Sequence, residues 1–101
     1  MILVLKYKWF DMIASGEKKE EYRVQSRHNL EQFWRWADGK SMEIEFRRGY
    51  TKTAIKVYCQ HAAMMLGRDV DMQGFELREE WGFEPGKDYI VYRWERVENA
   101  K

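Results

Sequence analysis

The sequence contains one cysteine, one proline and almost no net charge, and these scarcities exclude several classes of protein. Because Cys59 is the only thiol, no disulfide can form within the chain, which is typical of proteins in a reducing cytosol. The formal net charge is +1, so the chain lacks the basic excess that attracts nucleic acids over long distances. Any binding of an anionic partner must therefore depend on a local site.

Long apolar runs and metal or phosphate motifs are also absent from the sequence. No stretch approaches the roughly 20 apolar residues that a membrane span needs. Met1–Leu5 is too short for the apolar part of a signal peptide. There is no glycine-rich phosphate loop, and His28 and His61 do not have metal-ligand spacing with Cys59. We therefore expect a soluble, cytoplasmic protein with no membrane contact, no metal and no cofactor.

Apolar and aromatic residues, by contrast, are abundant. Of the 101 residues, 45% are hydrophobic and 16% are aromatic, which predicts one globular domain spanning residues 1–101. Five Trp and six Tyr are many for a chain of this length. Most of these rings must fill the core, and the excess is available for stacking on bases.

Hydrophobic periodicity and turn residues predict an alternation of strands and helices. The clearest helix begins at Ser26 or Asn29, either of which can cap it, and ends at Gly39. The other predicted elements are strands at 2–7, 18–23, 42–47, 53–60 and 89–97, a helix at 9–15, a loop at 69–74, a helical turn at 75–81 and a turn at 84–87. Residues 61–67 fit either a strand or a helix. This order predicts an α+β, β-rich fold, a small and mostly antiparallel β-barrel or curled sheet with two or three helices packed outside.

The most informative segment is residues 16–23, which hold three cations and three anions around one aromatic ring. Gly16 fits the left-handed position after a helix end, because a glycine inside a helix costs about 1 kcal/mol relative to alanine. As a strand, residues 18–23 offer no aliphatic side chain to bury on either face. The segment is therefore either a solvated surface or a functional site.

Three residues of this segment have side chains suited to ligand chemistry. Arg23 can donate two hydrogen bonds to a carboxylate or phosphate. Lys18 beside Glu21 can orient an anion or a polar ring, or the two can act as an acid/base pair. By strand alternation Lys18 faces away from the other two, so the three converge only if Lys18 lies in the turn before the strand.

The spacing Gly16-x-Lys18-x-x-Glu21-x-Arg23 resembles the G-x-K-x-x-E-x-R signature of the ASCH (activating-signal-cointegrator homology) domain family. The resemblance covers essentially the whole chain, including the helix before the glycine and the turn at Trp81-Gly82 before a closing strand. It implies a barrel similar to the PUA RNA-binding fold, with a cleft lined by the motif. It also implies RNA or nucleotide-like ligands and, in some members, hydrolytic activity.

One branch of this family removes acetyl groups from acetylated cytidine and places a threonine nucleophile where this chain has Glu21. Lys18 matches that branch, but the hydroxyl nucleophile is missing here. The resemblance therefore favours a binding site. The alternative is a small hydrolase acting on a modified nucleoside or on RNA, with Lys18 and Glu21 as the acid/base pair. A second carboxylate could come from Glu43, Glu45 or Glu76, none of which is favoured. A protein-interaction module is the third hypothesis.

Aromatic and basic residues outside these three can extend the site. Trp9 precedes the motif in a helix where core packing is the stronger interpretation, and Tyr22 lies inside the motif. A second basic and aromatic cluster, formed by Arg47, Arg48 and Lys52 with Tyr50 between them, occurs at the tip of the predicted hairpin. It can follow a phosphate backbone or form an ordinary solvated turn. The predicted ligand-binding residues are Lys18, Glu21, Arg23, Tyr22, Arg47 and Arg48, and the predicted partner is RNA or a nucleotide-like molecule.

Overall fold

The computed structural model of the chain describes residues 1–39, 42–69 and 74–97. Within these ranges the chain forms six strands, two α-helices and one short 3-10 helix, which makes the fold α+β and rich in strands. The elements are β1 (Ile2–Leu5), α1 (Tyr7–Ala14), β2 (Glu20–Val24), α2 (Arg27–Asp38), β3 (Glu43–Arg48), β4 (Ala54–Tyr58), β5 (His61–Met65), the 3-10 helix (Glu79–Trp81) and β6 (Tyr89–Arg93).

The strands pair into two three-stranded sheets, with the orders β1-β3-β4 and β2-β6-β5. β1 and β3 are parallel, and the other three strand pairs are antiparallel, as predicted for a mostly antiparallel fold. An isolated bridge between Val57 and Val97 connects β4 to the segment after β6. In the described ranges, however, the pairing does not close into the predicted barrel. β1 and β2 each lie at the edge of their sheet. The side chain of Arg23 on β2 donates a hydrogen bond to the backbone carbonyl of Val4 on β1.

Both predicted α-helices are confirmed. α1 ends one residue before Ser15, and Gly16 then adopts a φ of 85°, the left-handed conformation expected from the sequence. α2 begins after Ser26, whose Oγ accepts a hydrogen bond from the N–H of Asn29 at 3.2 Å. This bond satisfies one of the N–H groups that the first helical turn leaves without a partner.

Tertiary pairing decides the segment that the sequence left open. Residues 61–65 form β5 because they pair with β6 over its whole length, from His61 opposite Arg93 to Met65 opposite Tyr89. The predicted helical turn at 75–81 is shorter than expected and contains only the 3-10 helix. The loop predicted at 69–74 falls mostly on positions 70–73, which lie outside the described residues.

Both faces of the β2-β6-β5 sheet are covered. One face contributes Ile90, Tyr92 and Trp94 to the main apolar core, which is shared with the first sheet and both helices. The other face forms a smaller cluster of Met65, Phe83, Tyr89 and Val91, against which Tyr22, Phe75 and Leu77 pack. The charged strand β2 therefore lies at the edge of a sheet whose two faces are both buried.

Candidate functional site

The turn after α1 places Lys18 at the start of β2. The N–H of Gly16 donates to the carbonyl of Ile13, and the N–H of Lys18 donates to the carbonyl of Met12 at 2.9 Å. These bonds fold the chain back over the end of the helix, so Lys18 precedes the first residue of the strand, Glu20. Because Lys18 lies outside the strand, the alternation of side chains does not fix its direction, and it can reach the face that Glu21 occupies.

The three charged groups meet at the carboxylate of Glu21. The Nζ of Lys18 donates a hydrogen bond of 2.7 Å to Glu21 Oε1. The Nε of Arg23 lies 2.9 Å from Glu21 Oε2, but its N–H is not aligned with that oxygen, so the contact is an ion pair without a hydrogen bond. Arg23 also donates from Nη2 to the carbonyl of Val4 at 3.1 Å. The predicted convergence of these side chains thus exists, while their role in binding stays a prediction.

Two aromatic rings surround the lysine. The Nζ of Lys18 lies 4.7 Å from the ring centroid of Trp9 and 5.7 Å from that of Tyr22. Gly82 allows the Trp9 ring to approach, because a Cβ at that position would lie 3.2 Å from its six-membered ring. Both ring faces therefore contribute cation–π attraction to the ammonium group. Trp9 also packs against the main core, in line with the stronger interpretation from the sequence, while its part in a ligand site stays a prediction.

The Lys18–Glu21 pair is nearly closed to solvent. Lys18 is 2% exposed and Glu21 is 5% exposed, whereas the side chain of Arg23 is 23% exposed. Taking charges out of water costs several kcal/mol per ion, and attraction inside the protein returns this only when the geometry is good. The solvated-surface interpretation of residues 16–23 is therefore wrong for Lys18 and Glu21.

A second buried carboxylate, Glu20, lies on the opposite face of the same strand. It is fully buried and accepts hydrogen bonds from the backbone N–H groups of Glu76 and Leu77 at 2.7 and 2.9 Å. It also accepts from the hydroxyl of Tyr22 at 2.7 Å and from Arg93 Nη1 at 2.9 Å. Glu20 thereby holds the segment before the 3-10 helix against the sheet.

The hydroxyl of Tyr22 is committed to this second network. It donates to Glu20 and accepts the N–H of Arg78 at 3.0 Å, and its ring makes an edge contact with Phe83. Burial, with the adjacent Glu20 carboxylate, raises the pKa of Tyr22 far above its usual value. The phenol is therefore neutral at physiological pH, and only the ring of Tyr22 borders the Lys18 site.

The two predicted hairpin arginines are not part of the Lys18 site. Arg47 pairs with Glu45 at 2.8 Å. Arg48 makes two hydrogen bonds to the carboxylate of Asp11, and its guanidinium lies 4.0 Å from the ring centroid of Tyr7. The bond to Arg48 holds the pKa of Asp11 below its usual value. Both arginines are therefore neutralised by contacts within the fold.

The carboxylates considered as a second site group lie elsewhere. Glu76 bonds to Arg93 and Arg78. Burial alone would raise its pKa, but these two hydrogen bonds lower it overall. Glu45 and Glu43 face Arg47 and Lys56 on the first sheet. In the parts of the chain that the structure describes, no group of three or more metal-ligating side chains is found. Nor does any helix in those parts have the length and apolarity to cross a membrane.

The residues that sequence reasoning missed are those whose partners are distant in the chain. Glu20 bonds to backbone groups 56 and 57 positions later, and Arg93 bonds to it 73 positions later. No local spacing signals such contacts. A usable signal was that β2 has no aliphatic side chain until Val24, which already implied that its charges have partners within the fold.

Comparisons with known proteins support the fold. Neither the protein-family models nor the curated proteins give a match to the sequence. Among solved structures, the fold is similar to the crystal structure of a mutant ZmASCH protein from Zymomonas mobilis, with a TM-score of 0.57 and 13% sequence identity. The similarity covers 95% of this chain and 68% of that chain. At this level of identity the comparison shows that the fold is ASCH-like.

Proposed function

We propose that this protein binds RNA or a nucleotide-related ligand at a site built around Lys18, Glu21 and Arg23. The observation that carries the proposal is the buried hydrogen bond of 2.7 Å between Lys18 and Glu21, set against the rings of Trp9 and Tyr22. The ASCH-like fold is consistent with it. The ligand would lie over the edge where β2 meets α1.

Stability alone is a weak reason for such a pair. Replacing a buried ion pair by apolar side chains of similar volume is often neutral or stabilising, by about 1–4 kcal/mol. Lys18 and Glu21 are therefore better explained as groups kept for a ligand than as contributors to folding.

The donors of the site match the acceptors of a nucleotide. The ammonium of Lys18 carries three N–H groups, and among the described residues it donates one hydrogen bond, to Glu21. The Nε–H of Arg23 has no aligned acceptor there. These donors suit the carbonyl oxygens of a base or the oxygens of a phosphate. The half-buried ring of Trp9 supplies a surface on which a base can stack.

Access to Lys18 requires the Trp9 side chain to move. Trp9 lies at the margin of the site and covers the ammonium group, which is otherwise almost closed to solvent. The moved Trp9 ring stays in the site as the stacking surface, and the base stacked on it would replace the π contact that Lys18 loses. The proposal therefore includes a local rearrangement of one side chain on binding.

A ligand screen tests this function. The melting temperature of the protein is measured with cytidine, uridine monophosphate, adenosine monophosphate and an oligouridine of about ten nucleotides. We expect at least one of these to raise the melting temperature in proportion to the logarithm of its concentration. Arg23→Gln and Trp9→Ala should reduce the rise, and Arg27→Gln, an exposed arginine on α2, should not. No shift with any of the four probes at about 1 mM would overturn the proposal.

Hydrolysis remains the second candidate, since Lys18 and Glu21 are within proton-transfer distance of each other. Against it, each carboxylate oxygen of Glu21 lies within 3 Å of a cation, so neither is available to activate water in this arrangement. Incubation with acetylated cytidine, followed by chromatography of the products, separates the two functions. Release of cytidine that Glu21→Gln abolishes would establish the hydrolase, and binding without turnover would exclude it for this substrate.

A further inference from the structure

The first turn of α1 lies between the Lys18 site and the tip of the β3–β4 hairpin. On the hairpin side, the N–H of Gly49 donates to the carbonyl of Leu5 at 2.8 Å. Gly49 lies so close to Tyr7 that a Cβ there would come within 2.6 Å of the ring. On the other side, Trp9 contacts Lys18. One helical turn thus connects two regions that are separated by about 30 residues in the sequence.

The ring of Trp9 is shared by two lysines. The Nζ of Lys8 lies 4.8 Å from its centroid, and the Nζ of Lys18 lies 4.7 Å from it. Lys8 is exposed, whereas Lys18 is buried. The positive charge of the site therefore continues through Trp9 onto the surface of α1.

Three exposed lysines of this region differ from the hairpin arginines in their charge partners. Among the described residues, Lys6, Lys8 and Lys52 form no ion pair, in contrast to the hairpin arginines, which the fold neutralises. Their charge is therefore available to an external anion. Of the basic residues that the sequence placed at the hairpin tip, Arg47 and Arg48 thus have ion-pair partners, and Lys52 has none among the described residues.

Two aromatic rings accompany these lysines. Tyr50 at the hairpin tip is 98% exposed, and Tyr7 is about half exposed. An exposed ring of this kind offers a face on which an unpaired base can stack. We call Lys6, Tyr7, Lys8, Tyr50 and Lys52 the helix–hairpin surface.

We propose that the helix–hairpin surface binds single-stranded RNA. One nucleotide of the RNA occupies the Lys18 site, and the strand continues from there over the helix–hairpin surface. This inference rests on the proposed function and specifies its ligand as a strand rather than a free nucleotide. Phosphates would contact the three lysines, and bases would stack on Tyr50 and on the exposed part of Tyr7. The alternation of unpaired cations with exposed rings fits a single strand, because the bases of a duplex are not available for stacking.

The acidic 3-10 helix sets the direction of the strand. Glu79 and Glu80 are both exposed there, and Glu80 pairs with Arg78 at 3.6 Å, so the net charge of residues 78–80 is negative. Gly82 lies two residues after Glu80 and packs against the Trp9 ring. A phosphate backbone leaving the Lys18 site toward these carboxylates would meet like charge. The path over α1 to the hairpin meets unpaired lysines instead.

Salt-dependent binding tests the inference. The affinity of a fluorescein-labelled oligouridine of about ten nucleotides is measured by anisotropy at several salt concentrations. We expect Lys6→Ala/Lys8→Ala/Lys52→Ala to weaken binding about tenfold or more and to reduce the slope of log K against log salt by about 2, since each phosphate contact on a single strand contributes about 0.7. Tyr50→Ala should weaken binding about fivefold or more. The matched control, Arg27→Ala/Arg35→Ala/Lys87→Ala, removes the same charge elsewhere and should leave the slope unchanged.

Several results would overturn the inference, and they separate it from the proposed function. If the lysine triple variant binds like the wild type while Arg23→Gln loses affinity, the surface is excluded and the Lys18 site stands. The same holds if uridine monophosphate binds as tightly as the oligomer, or if a duplex binds as tightly as the single strand. If the wild type binds neither oligomer nor nucleotide, both proposals fail. Circular dichroism of each variant confirms that it is folded.

Discussion

Glu20 and Glu21 are neighbours in the chain, and their buried carboxylates face opposite sides of one strand. Glu21 meets Lys18 and Arg23 on the side of the main core, whereas Glu20 binds the backbone of the segment at 76–77 on the other side. Two adjacent carboxylates therefore have separate surroundings. Glu21 belongs to the candidate ligand site, and Glu20 fixes the segment that carries Gly82 toward Trp9.

The Lys18–Glu21 pair predicts strongly non-additive stability changes. Lys18→Met leaves the Glu21 carboxylate buried without its hydrogen-bonding cation, and removing one partner of a buried pair costs about 3–5 kcal/mol. The double variant Lys18→Met/Glu21→Leu removes both charges. We expect it to be more stable than Lys18→Met by about 1 kcal/mol or more, as measured by urea unfolding.

Lys19→Met is the matched control, because Lys19 precedes the same strand but is partly exposed. It should change the free energy of unfolding by less than about 0.5 kcal/mol. A Lys18→Met variant as stable as wild type would contradict the burial of this pair. Stability costs that simply add in the double variant would show that the two side chains do not interact.

Glu20 predicts a local loss of structure in a distant segment. Glu20→Gln removes the ion pair with Arg93 and turns an amide N–H₂ toward groups that are themselves donors. We expect the free energy of unfolding to fall by about 2–4 kcal/mol. Hydrogen exchange should show faster exchange of the Glu76 and Leu77 amides, because both bond to this carboxylate.

The exposed Glu79 provides the control for this change. Glu79→Gln makes the same substitution at an exposed position and should leave the Glu76 and Leu77 amides protected from exchange. If Glu20→Gln lowers the stability without affecting exchange at 76 and 77, the carboxylate supports the sheet but does not hold the segment.

Local rules predicted the elements of the Lys18 site. The left-handed Gly16, the helix before it and the position of Lys18 ahead of the strand follow from glycine conformation and strand alternation, and the structure contains all three. The cap of α2 at Ser26 is equally local. These features were predictable because each depends on residues within about one turn of the chain.

Long-range contacts explain what the sequence left unpredicted. Strand β5 exists through its pairing with β6, which lies 24 to 32 positions later, so its own sequence fits a strand or a helix equally well. Arg48 was predicted to bind a ligand, but in the structure it forms an ion pair with Asp11. Asp11 lies within reach of Arg48 because α1 packs against β3, a contact that local sequence does not reveal. The separation into two sheets likewise depends on the absence of pairing between β1 and β2.

Gly82 predicts a link between backbone conformation and the ligand site. Its φ of 100° is strained for any side chain, and a Cβ there would press on the Trp9 ring at 3.2 Å. We expect Gly82→Ala to lower the free energy of unfolding by about 1–2 kcal/mol and to displace Trp9, which reduces ligand affinity. Gly39→Ala is the control, because Gly39 has a helical φ of −79°. This substitution should leave the free energy of unfolding unchanged or raise it slightly. Equal stability of the two variants, measured by thermal unfolding, would rule out this constraint.

Cys59 predicts how stability depends on alkaline pH. The thiol is fully buried and donates a weak hydrogen bond to the carbonyl of His61, and burial raises its pKa to about 11. The folded pKa thus lies above the value of about 8.5 in an unfolded chain. The stabilising contribution is complete below that value and is lost as the pH rises toward 11. Between pH 7 and about 9, where few unfolded tyrosines ionise, we expect the free energy of unfolding to fall by about 1 kcal/mol.

Cys59→Ala separates this thiol from every other group that titrates. The variant starts from a lower stability because it leaves a small cavity, but its free energy of unfolding should change less than that of wild type over the same pH range. A thiol-specific disulfide reagent provides an independent measurement, since the thiolate is the reactive form. At pH 8 the native protein should react many times more slowly than the protein in denaturant. Rapid labelling of the native protein would show that Cys59 is accessible and would remove the physical basis for its raised pKa.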